Sequence, residues 1–292
     1  MKMMSLNELP EDCVSTILSL SSPWDVCRST AVCSELRSVA QLDCVWESFL
    51  PSDYHEIVSR AGPELLKWDS KKELFFLLCN SLLIDGGNKI FNLDKITGLK
   101  SYVLSARDLS IAWADDPIYW AWKHTPQSRF KESAELRTTS WLDIQGYLKL
   151  NMLSPNTTYG AYLIFKVSKR AYGLEIMPME VSIEVGSDVV SHNTVYLRQD
   201  EGKKHQMQWL IYYNRTEILA SRVNHGSEDS NLKLPGARGD GWMEIELGHF
   251  FYGESGDSCR DGKVVKMSMK EIKGHHLMGG LIVEGIEIRP LL

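Results

Sequence analysis

The spacing of the apolar residues changes near residues 85–90, and this change limits the possible folds more than any other feature. Before Gly86 and Gly87, apolar residues recur every three or four positions, as they do on one face of a helix. After them, segments such as YLIFKVS (162–168) and GWMEIELGHFF (241–251) alternate with a period of two and favour β-branched and aromatic residues. The sequence therefore predicts a helical part followed by a part built of strands.

The predicted strands are short and have little helix between them, which is typical of an antiparallel β-sandwich. The 292 residues suit about two domains, and 43% hydrophobic with 24% charged residues is usual for a globular protein. We predict a multidomain α+β chain with a helical module at residues 1–50, a helical linker at 51–87 and a β-sandwich at 88–292.

The charge distribution bears on the class of partner. Residues 1–85 contain 7 Lys and Arg against 13 Asp and Glu, whereas residues 86–292 contain 25 of each. The net charge of −6 therefore lies entirely in the helical part. An acidic module is repelled by phosphate groups, so neither nucleic acid nor an anionic membrane is expected as a partner.

The sequence contains no recognisable targeting or catalytic motif. The opening MKMMSLNELPED becomes acidic before any apolar run develops, and no apolar stretch approaches the ~18 residues of a membrane span. Five of the six cysteines fall in the first 79 residues, which suggests reduced, packed thiols in an intracellular protein, expected in cytoplasm and nucleus. No phosphate-binding loop, zinc-binding helix or nucleophile motif occurs, so we predict no enzyme, cofactor or metal.

Two helix starts are marked in the helical part. Leu9 and Pro10 precede two carboxylates, Glu11 and Asp12, which suit the positive end of a helix dipole. The segment SSPWD (21–25) then supplies a serine N-cap, a proline at the first helical position and an aspartate two residues later, which is a capping-box pattern.

The segment LNELPEDCVSTILSLSSPWDVCRSTAVCSELRSVAQLDCVWESFL resembles an F-box in the order and spacing of these elements. The resemblance implies a three-helix unit that docks onto a Skp-type adaptor and so joins a cullin–RING ubiquitin ligase. A module of this size is too small to build a self-sufficient core, which agrees with a docking role. Alternatively, the same apolar residues pack inward or against the next domain. The expected adaptor-binding residues are Leu9, Pro10, Val14, Ile17, Leu18, Pro23, Val26 and Trp46.

The rest of the chain resembles the Nictaba-like, or phloem protein 2-like, lectin domain of plants. The segments that carry the resemblance are SARDLSIAWADDPIYWAWK, AELRTTSWLDIQG, GAYLIFKVS, RGDGWMEIELGHFF and GLIVEGIEIRP. The resemblance implies a lectin-like sandwich of the jelly-roll type, in a family whose members bind N-acetylglucosamine oligomers or N-glycan cores.

A cluster of indole rings lies in SIAWADDPIYWAWKHTP (110–126). Sugar rings have apolar C–H faces and a polar rim, so a site for them needs flat rings and hydrogen-bonding side chains. The two stacking tryptophans of the lectin family match Trp113 and Trp120 here, while Trp122, Trp141 and Trp242 are assigned to structure. The alternative is that the clustered rings fill the core of the sandwich.

The family also uses acidic residues on a strand near the C-terminus, and the sequence departs from that pattern. The first acidic position falls on Lys263 or Val264, and the second on Lys270 or Glu271. We expect Glu271 to bind carbohydrate. Loss of a carboxylate acceptor costs about 1.5–3 kcal/mol, so sugar affinity is expected to be weakened or its specificity altered.

These features together predict the substrate-recognition subunit of an SCF-type ubiquitin ligase. Its helical module would bind the adaptor, and its sandwich would bind a target, through glycans that contain N-acetylglucosamine. Two alternatives stay open from the sequence. In the first, the chain is a stand-alone intracellular lectin. In the second, the sandwich serves protein–protein recognition.

Overall fold

The computed structural model describes residues 9–62, 67–174, 178–197, 234–253, 262–271, 273–274 and 276–291. Its helices are α1 (Glu11–Ser19), α2 (Pro23–Ser29), α3 (Ser34–Val39), α4 (Asp43–Glu47), α5 (Tyr54–Ala61) and α6 (Lys71–Leu78). Its strands are β1 (Leu82–Ile84), β2 (Lys89–Leu93), β3 (Lys100–Ser105), β4 (Ser110–Ile111), β5 (Trp120–Lys123), β6 (Ser133–Leu136), β7 (Leu142–Lys149), β8 (Thr157–Tyr172), β9 (Met179–Val185), β10 (Asp188–Val195), β11 (Gly236–Ala237), β12 (Met243–Tyr252), β13 (Val264–Glu271) and β14 (Gly279–Pro290).

The predicted order of helices and then antiparallel strands is confirmed. The sheet begins at Leu82, inside the segment that the sequence assigns to a helical linker at 51–87. Strand β1 is only three residues long, too short for its alternation to be recognised. The 3-10 turn Asp85–Gly87 then joins β1 to β2 as a hairpin, so the two glycines lie within the sheet and not at its border.

The helix starts follow from their capping groups. Pro10 precedes the first residue of α1, and Glu11 and Asp12 occupy its first turn, as predicted. The Ser22 hydroxyl accepts a hydrogen bond from the Asp25 backbone N–H at 3.1 Å and donates to the Asp25 carboxylate at 2.8 Å. These bonds satisfy a backbone donor that the first turn of α2 leaves without an intrahelical partner.

Helix α6 completes the core of the helical module. The indole of Trp46 on α4 is fully buried, and its ring centroid lies 5.3 Å from that of Phe75 and 5.4 Å from that of Phe76. Its N–H donates to the carbonyl of Ala40 at 2.7 Å. The first fifty residues therefore need the later helix to exclude water from their largest buried side chain.

Within the described residues, the strands form two antiparallel sheets. The large sheet has the order β1-β2-β3-β14-β8-β12-β11, with β6 also paired to β14 and β5 paired to β6. The small sheet has the order β10-β9-β13-β7-β4. One core cluster contains side chains of both sheets and of the helices, among them Leu104, Leu163 and Ile286 from the large sheet and Ile144 and Met267 from the small one.

Two ion pairs link α5 and its preceding turn to the sandwich. The Lys100 ammonium on β3 binds both oxygens of Asp53 at 2.6 and 2.8 Å. The Arg60 guanidinium binds both oxygens of Asp85 at 2.8 and 2.9 Å. Together with the shared core, these contacts attach the helical module directly to the sheet.

The Arg60–Asp85 pair gives a pH-dependent contribution to stability. Hydrogen bonds from Arg60, and then from Lys89, lower the pKa of Asp85 from 3.8 to about 2. A depressed carboxyl pKa stabilises the fold above the unfolded value and loses that effect as the pH falls towards 2. We expect Asp85→Asn to lower the free energy of unfolding at pH 7 by about 2 kcal/mol, with the difference shrinking below about pH 4.

Urea unfolding of both proteins between pH 3 and pH 7 measures this difference. Asp115→Asn is the matched control, because the Asp115 side chain is exposed and makes no hydrogen bond or ion pair with the described residues. A constant difference between Asp85→Asn and the unaltered chain over this range would contradict the assigned pair.

Candidate functional site

The structure divides the predicted adaptor-binding residues between an exposed and a buried class. Ile17 and Pro10 are exposed, and Leu9 is half-buried. The other five are buried in the chain without a partner, so their predicted contact with an adaptor stays a prediction, although Val14 also lines a surface pocket with Leu9. These five are Val14, Leu18, Pro23, Val26 and Trp46.

Packing on neighbouring helices and on a turn of the sandwich accounts for the burial of three of these residues, Val14, Leu18 and Pro23. Val14 and Leu18 are four positions apart on α1, so they share the face that packs on α3 and α4. Pro23 lies against the turn between β2 and β3. There Gly98 adopts φ +73°, and a Cβ atom on it would stand 3.8 Å from the Pro23 ring and 3.5 Å from the Phe49 carbonyl oxygen.

A different set of apolar side chains, on α1, α2 and the turns that follow them, is exposed, and we name it the helical apolar set. It comprises Ile17, Leu20, Trp24 and Val32, which are 53, 83, 52 and 73% exposed. Three of these residues are absent from the sequence prediction. These four large apolar side chains are therefore exposed within sixteen residues of sequence.

The indole cluster is arranged around a tight turn that presents Trp113. The Asp116 N–H donates to the Trp113 carbonyl at 3.0 Å, and the Asp116 carboxylate accepts from the Ile118 N–H at 2.8 Å. Trp113 has φ +56°, a conformation that costs a residue with a side chain roughly 1–3 kcal/mol and is concentrated at functional sites. Its ring is 49% exposed.

Trp120 lies in the core and is only 3% exposed, so it cannot stack on a sugar. Its indole N–H donates to the Ala112 carbonyl at 3.0 Å, and that of Trp122 donates to the Ala114 carbonyl at 2.9 Å. These two bonds hold the residues on both sides of Trp113. The prediction that Trp120 is a stacking ring is therefore wrong, and its geometry is that of a positioning residue.

Two other rings lie beside Trp113, and we name the three together the aromatic group. The centroid of the Trp113 ring is 5.4 Å from that of Tyr119 and 6.4 Å from that of Trp141, the latter edge to face. Trp141 is 41% exposed, although the sequence assigns it to structure. Trp242 is buried and donates to the Gln127 carbonyl, as a structural residue does.

Polar side chains continue from Trp141 along the outward face of the small sheet. The Asp143 carboxylate accepts from Gln145 at 2.8 and 2.9 Å and lies 3.8 Å from the Lys270 ammonium, its cross-strand neighbour. Hydroxyl groups of a ligand could exchange hydrogen bonds with all three. Lys270, one of the two alternatives for the second acidic position, therefore faces outward.

Glu271 lies on the opposite side of the same strand and is 4% exposed. Its carboxylate accepts from the backbone N–H groups of Lys273 and Gly274 at 3.1 and 3.4 Å. It therefore supports the turn after β13, and the prediction that it binds carbohydrate is wrong. Lys263, at the other predicted acidic position, is half-buried before β13.

Among the described residues, no group of three His, Cys, Asp or Glu side chains could hold a metal ion. In the same part of the chain, no helix has the length and apolar character needed to cross a membrane.

Comparisons with known proteins match both parts of the chain. The F-box domain model matches residues 6–48, and the Phloem protein 2 model matches residues 99–290. F-box protein PP2-B15 of Arabidopsis thaliana is 48% identical over 282 residues, which cover 97% of this chain and 96% of that protein. F-box protein PP2-B13 of the same plant is 45% identical over 283 residues, which cover 97% and 98%.

Proposed function

Because the chain belongs to the F-box proteins that carry a phloem protein 2 domain, we propose that it is a substrate-recognition subunit of an SCF-type ubiquitin ligase. F-box proteins are generally non-catalytic subunits. The helical module binds a Skp-type adaptor, and the sandwich binds the protein to be ubiquitinated. The observation that carries this proposal is the helical apolar set, which remains exposed while the opposite faces of the same helices are packed.

The helical apolar set supplies the energy of docking in this proposal. Large apolar side chains at the centre of an interface dominate its affinity, each contributing about 2 kcal/mol or more. Ile17 and Leu20 are the strongest candidates, because their burial in the complex removes apolar surface that the free chain exposes.

We expect the double variant Ile17→Asp, Leu20→Asp to bind a purified Skp-type adaptor at least about 30-fold more weakly, because two carboxylates would be buried at the interface. Isothermal titration of the full chain measures the affinity. Val189→Asp is the control, since Val189 is similarly exposed but lies on the edge strand β10. Unchanged adaptor affinity in the double variant would refute the assigned surface.

The sandwich, we further propose, recognises glycans that contain N-acetylglucosamine at the aromatic group. Trp113 and Trp141 stand at 73° to one another, so one ring can stack on a sugar face while the other borders its edge. Asp143, Gln145 and Lys270 continue the surface with acceptors and donors for the hydroxyl groups. The rigid turn around Trp113 reduces the conformational entropy lost on binding.

We expect Trp113→Ala and Trp141→Ala each to weaken chito-oligosaccharide binding about tenfold, while thermal unfolding of the chain stays nearly unchanged. A glycan array followed by titration of the best ligand measures this. Phe251→Ala is the control, because Phe251 is an exposed ring on the large sheet.

The same variants separate the remaining alternatives. If no glycan binds but capture of a target protein depends on Trp113 and Trp141, the sandwich recognises protein directly. If glycans bind normally but the adaptor does not, the chain is a stand-alone lectin. Undiminished glycan binding by a Trp113→Ala, Trp141→Ala double variant would contradict the assigned sugar site.

A further inference from the structure

A polar cleft lies on the large sheet, on the face that points away from the main core. Ile90 on β2 and Val103 on β3 pack with Phe130 in an apolar cluster of their own, whereas the neighbouring Tyr102 and Leu104 belong to the main core. The cleft has a volume of about 220 Å³. Ile90 and Val103 line its apolar part.

Ion pairs fix the polar side of the cleft. Arg129 and Arg238 come from separate loops, and each places a guanidinium nitrogen 3.1 Å from the same oxygen of Glu287. Arg129 is also held by Glu284, which is fully buried and accepts from its Nη2 and Nε atoms at 2.7 and 3.2 Å. Side chains held in this way are arranged before a ligand arrives, which reduces the entropic cost of binding.

Several donors that line the cleft make no hydrogen bond with the described residues. They are the Nη2 group of Arg238, the side-chain amide N–H₂ of Asn92 and the hydroxyl of Ser81. Ser81 also has φ +33°, a strained backbone conformation. The cleft therefore offers a ligand these unused donors, while its carboxylate, Glu287, is already bound by three arginines.

The charges around the cleft favour a neutral ligand over an anion. The guanidinium groups of Arg129, Arg238 and Arg289 are balanced by a larger number of carboxylates bound to them. These carboxylates are Asp240, Glu244, Glu284 and Glu287. A ligand with a full negative charge would gain no net attraction here.

We propose that this cleft binds one neutral, polyhydroxylated ring, such as a single sugar unit. The hydroxyl oxygens accept from Asn92, Arg238 and Ser81 at the rim of the cleft, above the buried Ile90 and Val103. The volume is smaller than that of pockets for drug-sized ligands, which limits the occupant to about one ring. This site is separate from the aromatic group and does not depend on it.

Titration of the full chain with methyl glycosides of N-acetylglucosamine, glucose, galactose and mannose, followed by saturation-transfer NMR, tests the proposal. We expect at least one glycoside to bind. Asn92→Ala removes an unused donor and should weaken that binding about tenfold. Ser101→Leu fills the cleft and should abolish it. A glycopeptide carrying the same terminal sugar shows whether an attached glycan also enters.

Ser110→Leu is the matched control on the small sheet and should leave methyl glycoside binding unchanged. The same titrations in a Trp113→Ala, Trp141→Ala background remove the aromatic group, so the binding that remains there reports the cleft alone. If Ser101→Leu fails to fold, the glycoside affinity of Asn92→Ala still tests the proposal. The proposal is overturned if no glycoside binds in that background, if both cleft variants bind there as their parent does, or if glucuronate binds in preference to the neutral sugars.

Discussion

Replacing Trp46 with alanine is expected to lower the free energy of unfolding by about 3–5 kcal/mol. The indole is fully buried between α4 and α6, in contact with Phe49, Phe75 and Phe76. Its removal leaves a cavity that three rings border. It also leaves the buried Ala40 carbonyl without its hydrogen-bond donor. Because the helices share one core cluster with the sandwich, the loss should lower a single cooperative transition.

Guanidinium unfolding followed by far-ultraviolet circular dichroism and by tryptophan fluorescence measures this effect. Trp24→Ala is the matched control, because Trp24 is half exposed on α2 and makes no hydrogen bond through its indole within the described residues. We expect it to change stability by less than about 1 kcal/mol. A similar cost for Trp46→Ala and Trp24→Ala would mean that the core of the helical module is assigned incorrectly.

The division into helices and strands was predictable from the sequence because its signals are local. A serine N-cap followed by proline needs only its own turn to define the start of α2. Alternation with a period of two likewise reports which side of a strand faces the core, as β7 and β12 do here.

The exposed face of the helical module was not predictable, because later parts of the chain determine it. Trp46 is covered by α6, about thirty residues further on. Pro23 is covered by the turn at Gly98, which belongs to the sandwich. A helical pattern alone marks both residues as apolar, and it cannot tell an internal partner from an external one.

Among the aromatic residues, the position of one could be predicted from the sequence and that of another could not. Trp141 directly precedes Leu142 and Ile144, whose alternation places them inward, so its outward position could have been read from the sequence. The burial of Trp120 could not be read from the sequence, because it depends on the pairing of β5 with β6 and on the Ala112 carbonyl. The burial of Glu271 could not be predicted either, because it depends on the register of β13 against β7.

In the proposed ligase subunit, the adaptor surface and the sugar surface are held in a fixed relation. One core cluster contains Leu18 and Trp46 of the helical module together with Trp120, the residue that positions the turn carrying Trp113. The ion pair between Asp53, just after the helical module, and Lys100 fastens the following helical segment to the sandwich as well. A target bound at the aromatic group would therefore be presented to the ligase in a defined orientation.

Replacing Glu284 with alanine is expected to cost about 3–5 kcal/mol of stability, because it leaves the Arg129 charge without its buried partner. The Glu284 carboxylate is fully buried and accepts from the Arg129 backbone N–H at 2.7 Å as well as from its guanidinium. These bonds hold the loop that carries Phe130 over the outer face of the large sheet. Loss of the Glu284 carboxylate should therefore also open the polar cleft.

Urea unfolding of the full chain at pH 7 measures the change, and Glu132→Ala is the control. Glu132 binds Arg107 at 2.7 Å, but these side chains are 41 and 36% exposed, for Arg107 and Glu132, so this pair is expected to contribute less than about 1 kcal/mol. The loss of stability in Glu284→Gln should lie between those in Glu284→Ala and Glu132→Ala. An amide oxygen can keep the hydrogen bond from the Arg129 N–H but not the charge attraction. Equal stability of Glu284→Ala and Glu132→Ala would show that the loop is not held by this buried ion pair.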